Sequence, residues 1–360
     1  MALPALACAL GLLAAAPQKK NKEEQTQTLQ LPKDLPEAVL GETRRLTFHV
    51  TPLSAKGLLS PQIKEALRAL THQASGDTIL KIRAFVAGTG DVRRVRDLVS
   101  EFFTDRKQPL PALSLIRAGG LPMEGAQVVL EGIGQSRKEV NPYGLAFFSA
   151  RPAVGENPLD PPPVTAALAN LGKEVDAVGA QADDVVRVTC FLSSLDGLDA
   201  VRVQVATAYP HAATDFVQPQ RAPSAALAAC EGVARLRADP GRLRIIRGTG
   251  EPGEPGESDA ALVGAQQVAL TGTQMSFGYQ EQDGRLAFER LQREVEKTGA
   301  SFHDVAFAQY YALANPLAAQ ARKLRLEFFD KDRPPAGTLL VFEGLPSMDA
   351  GFAVDAVAVK

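Results

Sequence analysis

Three stretches of the chain show the same order of apolar patterns. A helix-spaced apolar series comes first in each: Ile63, Leu67 and Leu70; Leu168, Leu171, Val175 and Val178; Phe288, Leu291 and Val295. A mostly apolar, strand-like run follows each series: DTILKIRAFV from Asp77, DDVVRVTCFL from Asp183 and HDVAFAQYYA from His303. These spacings predict an amphipathic helix and then a buried strand in every stretch.

The strand-like runs align when the sequence is shifted by 106 and by 120 residues. The second and third stretches also share GAxxxDV, at residues 179–185 and 299–305, where the glycine is well suited to ending a helix. A second helix and two more strand-like runs follow each strand. Their acidic residues coincide at Glu131, Glu231 and Asp355. This order predicts an α+β fold with about one small domain per stretch.

The same shifts superimpose three arginines of the second helices. They are Arg96, Arg202 and Arg322. A functional role would explain the alignment, but a solvated helix face explains it as well, and arginine is usually exposed. We therefore expect these three side chains to lie on the surface.

Composition limits the partners. The chain has 360 residues, of which 45% are hydrophobic and 22% charged, with a formal net charge of -2 and no tryptophan. Nucleic-acid binders usually carry a basic surplus, so we expect no nucleic-acid partner. A small-molecule ligand is the expected partner.

The N-terminal segment resembles a secretory signal. An apolar run over residues 2–16 ends in small residues and is followed by a polar stretch, although no Lys or Arg follows Met1. We predict a signal peptide at 1–18, export to the periplasm or the exterior, and no membrane association after its removal. A cytoplasmic protein with an Ala-rich terminus is the alternative.

The remaining boundaries follow from composition. We predict a polar linker at 19–43, repeats at 44–135, 136–247 and 258–360, and a Gly/Pro/Glu linker at 248–257. The linker contains GTGEPG, but Glu251 and Pro252 do not suit a phosphate loop, so no nucleotide cofactor is expected. Cys190 and Cys230 are predicted as small core residues, and the spacing of the histidines predicts no metal site.

The second stretch resembles the Rid family, also called endoribonuclease L-PSP, in GLAFFSARPA, in DDVVRVTCFLSSLDGLDAV and in CEGVARL. The resemblance implies small chorismate-mutase-like domains that assemble as homotrimers, with a central β-barrel, outer helices and ligand clefts between subunits. It extends threefold over residues 44–360 and is weaker in the first stretch. We therefore predict three tandem Rid-type domains that form an intramolecular pseudo-trimer in a monomer.

The resemblance also implies a catalytic pattern that this chain lacks. Family deaminases hydrolyse imines and hold the substrate carboxylate with an arginine of the fifth strand. Leu113, Thr214 and Gly337 occupy that position here. The position of the acid that assists the attacking water is occupied by Val129, Ala229 and Ala353. The catalytic residues are therefore unknown.

Other polar residues are candidates for binding a ligand. Side chains four positions apart on a strand share a face, so Arg117 follows Leu113 and Gln218 follows Thr214, which is itself a candidate. Ser149 and Arg151 lie in SARPA, where the family lines its cleft, and Thr273 and Gln274 occupy the corresponding place in the third stretch. Ordinary surface or interface polarity is the alternative for all of them.

Three functions remain open. The first is binding of a small carbonyl or carboxylate metabolite in an inter-repeat cleft, with the imine deaminase chemistry lost. The second is an imine deaminase of the 2-iminobutanoate/2-iminopropanoate type, or a related hydrolase, with relocated catalytic residues. An endoribonuclease is the least supported, because no histidine or acid pair beside a basic groove is visible. The sequence favours the first and leaves open whether the chain is an enzyme.

Overall fold

Each of the three predicted strand runs lies inside a β-sheet. The computed structural model describes residues 32–88, 90–247 and 257–360. The predicted signal peptide, most of the polar linker and most of the Gly/Pro/Glu linker therefore lie outside the described residues. The fold is a mixed α+β arrangement of several sheets.

The described part of the chain forms six α-helices and seventeen strands. The first segment contains β1 (Ala38–Glu42), β2 (Leu46–Val50), α1 (Leu59–Gln73), β3 (Thr78–Val86), α2 (Arg93–Asp105), β4 (Ala112–Arg117) and β5 (Val128–Gln135). The second contains β6 (Leu145–Phe148), β7 (Ala153–Val154), α3 (Val164–Ala177), β8 (Val185–Leu192), α4 (Leu198–Ala208), β9 (Ala213–Val217), β10 (Leu227–Arg235) and β11 (Leu243–Ile246). The third contains β12 (Ala260–Val263), β13 (Gln267–Thr271), β14 (Gln274–Phe277), α5 (Glu281–Lys297), β15 (Val305–Ala312), α6 (Asn315–Phe328), β16 (Ala336–Val341) and β17 (Ala350–Val359).

These strands form three sheets. The first sheet has the order β2-β5-β3-β4, the second β11-β12-β6-β10-β8-β9 with β7 on β10, and the third β1-β13-β17-β15-β16 with β14 on β17. Each contains one parallel pair, β3 with β4, β8 with β9 and β15 with β16. A parallel pair needs a crossover connection, which α2, α4 and α6 supply.

Two strands join a sheet that is distant in sequence. β1 extends the third sheet through β13, and β12 extends the second sheet through β6. The first sheet has no such added strand, and β2 forms its edge. The sequence pattern did not predict these exchanges, because an apolar strand does not reveal which neighbour it pairs with.

Two helices cover the outer face of every sheet. The predicted stripe of α1 is buried at Ile63, Leu67 and Leu70, and the equivalent residues of α3 and α5 pack in separate cores. Gly179 and Gly299 have φ of 73° and 80°, the left-handed conformation that ends a helix without a Cβ clash. The helix pattern and both predicted helix ends are therefore confirmed.

The inner faces of the three sheets pack on one another. One apolar cluster joins Phe48, Phe147 and Phe307, and another joins Phe85, Phe191 and Phe342, so that both clusters draw residues from all three sheets. Within the described residues none of the sheets closes on itself, so the predicted central barrel is not confirmed.

Cys190 and Cys230 form a disulfide between β8 and β10, where they lie directly opposite each other. Both residues are buried in the helix-facing core, as predicted, but they are bonded, which the prediction missed. Separately, none of the described helices is long and apolar enough to cross a membrane.

Candidate functional site

A buried polar layer lies where the inner faces of the three sheets meet. In the first sheet Arg83 pairs with Ser114 on one side and Glu131 on the other. The equivalent trios are Thr189, Asp215 and Glu231 in the second sheet, and Gln309, Thr338 and Asp355 in the third. All nine residues are buried. The predicted coincidence of the three acidic positions is therefore confirmed by strand register.

Arg83 connects the first two sheets. Its Nε donates to Glu131 Oε2 at 2.7 Å, and its Nη2 donates to Glu231 Oε1 at 2.8 Å. Thr189 Oγ1 donates to the other oxygen of Glu131 at 2.6 Å. Arg187, two residues earlier on β8, donates from Nη2 to Glu231 at 3.0 Å. Because these groups are buried, each contact acts in a low dielectric and is strengthened by it.

Glu231 receives contacts from every sheet. Besides the two arginines, its carboxylate accepts from Gln309 Nε2 at 2.9 Å and from Thr338 Oγ1 at 2.6 Å. Burial opposes ionisation, but Arg83 and Arg187 outweigh it and lower the pKa of Glu231. Glu231 is therefore a carboxylate at neutral pH.

Asp355 connects the third sheet to the first. Its Oδ1 accepts from Lys81 Nζ at 2.7 Å, and its Oδ2 accepts from Ser114 Oγ at 2.6 Å and from Tyr311 Oη at 3.1 Å. Burial lowers the pKa of Lys81, which Asp355 partly offsets. The ion pair is thus held by hydrogen bonds on both oxygens of its carboxylate.

Asp215 is the carboxyl group that differs. Burial, followed by the charge of Glu131, raises the pKa of Asp215 well above its usual value. The layer and its neighbours contain three basic side chains, Lys81, Arg83 and Arg187, and four acidic ones, Glu131, Asp215, Glu231 and Asp355, all of them buried.

Aromatic rings close one side of this layer. Phe85 and Phe191 lie two residues beyond Arg83 and Thr189 on the same strands, with ring centroids 5.9 Å apart. Phe342 contacts both rings, and the guanidinium of Arg83 lies 5.0 Å from the centroid of Phe85. The face of Phe85 therefore stabilises the positive charge of Arg83.

The positions at which the sequence resemblance places the family arginine, called the family-arginine positions below, lie in a different environment. Leu113, Thr214 and Gly337 pair in register with Ile82, Val188 and Ala308, which confirms that the three positions are equivalent. The side chain of Leu113 is buried in the core beneath α1 and α2. A Cβ at Gly337 would approach the carbonyl oxygen of Ala308 to 2.5 Å.

Ser149 lies between the second and third sheets, and Arg151 contacts α3 and the segment directly before β12 of the second sheet. Ser149 Oγ accepts from the Gly337 N–H at 2.8 Å, so the serine contacts a family-arginine position directly. Arg151 forms ion pairs with Asp259 and, at 3.6 Å, with Glu174. Its guanidinium is therefore engaged within the protein.

Glu174 is buried in α3, and its carboxylate oxygens accept no hydrogen bond from the described residues. Burial raises its pKa well above the usual value, while Arg151 acts in the opposite direction. Desolvation dominates because the ion pair is long and lacks a short hydrogen bond. Tyr209 nearby has its pKa raised to about 12 by burial and by the charges of Asp176 and Glu174.

The other four candidate ligand-binding residues lie away from Ser149 and Arg151. Thr273 N–H donates to Leu113 O at 3.3 Å, between the third and first sheets, and Gln274 Nε2 donates at 2.9 Å to Glu37, which precedes β1 of the third sheet. Arg117 Nη2 donates to Gly88 O at 2.8 Å, and Gln218 Nε2 donates to Ser193 O at 2.8 Å. The candidates are thus distributed over several places and do not converge on one site.

A cavity of about 220 Å³ lies between the second and third sheets. Pro152, Val154 and Leu227 line one side, and Leu339 and Val341 line the other. Its polar lining consists of Ser193, Gln220, Ser224, Asn315 and Arg322. It adjoins the SARPA segment, where the family resemblance places a cleft.

Sequence reasoning missed most of these residues. Arg322 was expected on a solvated face, but it is half-buried and lines the cavity, whereas Arg202 is exposed and pairs with Asp199. The central layer was detectable in part, since Lys81, Arg83 and Arg187 interrupt apolar strand runs. A charged residue in such a run is almost never buried unless it is paired.

Comparisons with known proteins give structural neighbours but no match to a family model or to a curated protein. No protein-family model matches the sequence, and no curated protein matches it. Structural neighbours include YyfB of Yersinia pestis, described as a protein of unknown function of the conserved Rid family, with 19% identity and a TM-score of 0.29, covering 33% of this chain and 100% of its own.

Two further structural neighbours cover the same share of this chain as YyfB or a smaller one. RidA from Psychrobacter sp. PAMC 21119 has 14% identity and a TM-score of 0.24 and covers 26% of this chain and 80% of its own. A member of the YjgF/YER057c/UK114 family from Mycobacterium tuberculosis has 17% identity and a TM-score of 0.25 and covers 33% of this chain and 99% of its own. The neighbours are thus Rid-family proteins at low identity, and such scores carry no argument about function.

Proposed function

We propose that this chain is a Rid/endoribonuclease L-PSP-like protein that binds a small carbonyl or carboxylate metabolite between its second and third sheets. The cavity there carries the proposal, because it combines apolar walls with a few polar groups, as small-molecule sites usually do. Its volume of about 220 Å³ is below that of pockets for drug-sized ligands, so the ligand has few heavy atoms.

Arg322 and Asn315 are the groups proposed to hold the ligand. Both lie on α6 and line the cavity beside Leu339 and Val341. A guanidinium can bind a carboxylate through two parallel hydrogen bonds, and an amide can bind a carbonyl oxygen. The apolar wall would then contact the remainder of the ligand.

Calorimetric titration with a panel of small carboxylates and carbonyl compounds tests this proposal. Arg322→Gln should weaken binding of the best ligand about tenfold or more, because a hydrogen bond to a charged group is worth about 1.5–3 kcal/mol. Arg202→Gln is the matched control, since Arg202 occupies the corresponding position of α4 but is exposed. Equal affinities of the two variants would contradict the assignment.

We further propose that the family's imine deaminase chemistry is lost. The support is the absence of an arginine at Leu113, Thr214 and Gly337. Losing one partner of a desolvated charge pair costs about 2–5 kcal/mol, before any loss from the missing acid is counted. An assay that traps the imine from an amino-acid oxidase with semicarbazide should therefore detect no acceleration by this protein.

An imine deaminase with relocated residues is the alternative, and the position of Arg322 in the cavity favours it. Turnover in the semicarbazide assay that disappears in Arg322→Gln would establish this alternative. Turnover that disappears in Arg117→Ala would instead identify Arg117 as the relocated residue. Either result would overturn the proposed loss of activity.

We also propose that residues 44–135, 136–247 and 258–360 are three tandem units that act as a pseudo-trimer in a monomer. The support is that each unit contributes most or all strands of one sheet, one pair of helices and one trio to the central layer. Export is proposed from the N-terminal pattern, and the disulfide supports it because such bonds persist in oxidising compartments. Mass spectrometry of the native protein should find a mature terminus near residues 17–20.

A further inference from the structure

A second, much smaller cavity lies beside the central polar layer. Its volume is about 20 Å³, enough for one particle the size of a water molecule or a halide ion. Lys81, Arg83, Arg187 and Glu131 line it together with Gln309. The rest of its wall is apolar. This cavity is distinct from the proposed ligand cavity and shares no residue with it.

Two hydrogen-bond donors of the lining side chains have no partner among the described residues. They are Nη1 of Arg83 and Nε of Arg187. Both side chains are more than nine-tenths buried, at 3% and 8% exposure. A buried N–H without an acceptor is costly, and in native proteins such groups nearly always have one. The cavity beside both side chains is the place where an acceptor fits.

Charge is distributed unevenly around this cavity. Three basic side chains line it, but only one acidic side chain does, and Glu231 and Asp355 contact the same basic groups from outside the lining. The remaining wall comes from Phe147, Phe307 and other apolar side chains. The excess of basic over acidic side chains in the lining favours a negative occupant.

The occupant must accept from two donors, Arg83 Nη1 and Arg187 Nε. A halide ion only accepts, which matches both donors. A water molecule can also accept from them and can donate to the lone pairs that Glu131 and Gln309 Oε1 retain, so the experiments below are chosen to distinguish the two occupants.

We propose that the centre of the three sheets binds one monovalent anion of halide size, held by Arg83 Nη1 and Arg187 Nε beside Lys81. Phosphate and sulfate are excluded by size, because the cavity holds a single small particle. The anion would satisfy both donors and connect the first sheet to the second. It would therefore stabilise the native state by binding to it alone.

Crystals grown with bromide as the only halide test the proposal directly. An anomalous difference peak is expected between the side chains of Arg83 and Arg187. Density without an anomalous signal at that place identifies a water molecule and overturns the proposal. Bromide peaks confined to the protein surface overturn it as well.

Thermal unfolding provides a second test in solution. The midpoint temperature should rise with chloride or bromide concentration but not with gluconate at the same ionic strength. Arg187→Lys keeps the charge but removes the Nε donor, so it should weaken the halide effect about tenfold. Arg93→Lys, at a side chain that is 80% exposed, is the control and should retain it. Identical curves in halide and gluconate contradict the proposal.

Discussion

The central polar layer and the family-arginine positions each take residues from matching strand positions of the three sheets. The two regions nevertheless differ in chemistry. In the layer, Glu131, Glu231 and Asp355 are hydrogen-bonded to basic or polar groups of neighbouring sheets. At the other set, leucine, threonine and glycine provide no charge. The difference indicates that charged side chains join the sheets at the layer and not at the other set.

The layer itself is not threefold. The equivalent positions are Arg83, Thr189 and Gln309. The arginine side chain only donates hydrogen bonds, whereas the threonine and glutamine side chains both donate and accept them. A homotrimer would place three identical side chains together, and three buried arginines would repel one another. Different residues at the three positions are possible only when the sheets belong to different sequences, as they do within one chain.

The largest expected effect of a single substitution is at Glu231. Glu231→Gln leaves Arg83 and Arg187 without a shared counter-charge in a buried site, so we expect the free energy of unfolding to fall by about 3–5 kcal/mol. Urea unfolding at neutral pH measures it. Thr214→Val, at a family-arginine position, should change stability by less than about 1 kcal/mol. Equal effects at both positions would remove the contrast between the two regions.

A smaller effect is expected from the disulfide, which joins the strands that carry Thr189 and Glu231. Replacing Cys190 and Cys230 together by alanine should lower the free energy of unfolding by about 2–4 kcal/mol. Wild-type protein refolded under reducing conditions is the control, because it keeps both side chains and lacks only the bond. If the reduced protein is as stable as the oxidised one, the bond does not support the layer.

The third prediction concerns Glu174 of α3, which packs on the second sheet, and depends on pH. Its pKa is raised in the folded protein, mainly by burial, so the unfolded chain releases this proton first and stability falls as pH rises above the usual value of 4.5. Glu174→Gln lacks this loss and should be more stable than wild type at neutral pH, with the difference vanishing below pH 4.5. Denaturant titrations across this range measure it.

Asp176→Asn, at an exposed residue of the same helix, is the control for this experiment. It should show no such pH-dependent gain. A Glu174→Gln variant that is destabilised at neutral pH would mean that the ion pair with Arg151 outweighs the desolvation of Glu174, the opposite of what we expect.

Much of the fold could be predicted from the sequence, because helix and strand periodicity depend on local residue order. The stripe of α1 and the helix ends at Gly179 and Gly299 are examples. The exchange of β1 and β12 between sheets and the bond between Cys190 and Cys230 depend on strand pairing, which periodicity does not specify.

The sites were harder to predict. The acidic positions of the layer were aligned correctly, but each acid also has a partner on another sheet, between 58 and 274 residues away along the chain. Arg322 lines a cavity because α6 lies beside β16, a relation that its helical position alone did not reveal. Contacts between sheets are properties of the assembled fold and not of any single segment.

The central claim is that one chain supplies all three sheets of the central layer. Light scattering of the purified protein during size-exclusion chromatography, over a range of dilute concentrations, tests it most directly. We expect the mass of one chain at every concentration, together with an unfolding midpoint that does not depend on concentration. The mass of three chains under these conditions would contradict the claim, because sheets of different copies of the chain would then pack on one another.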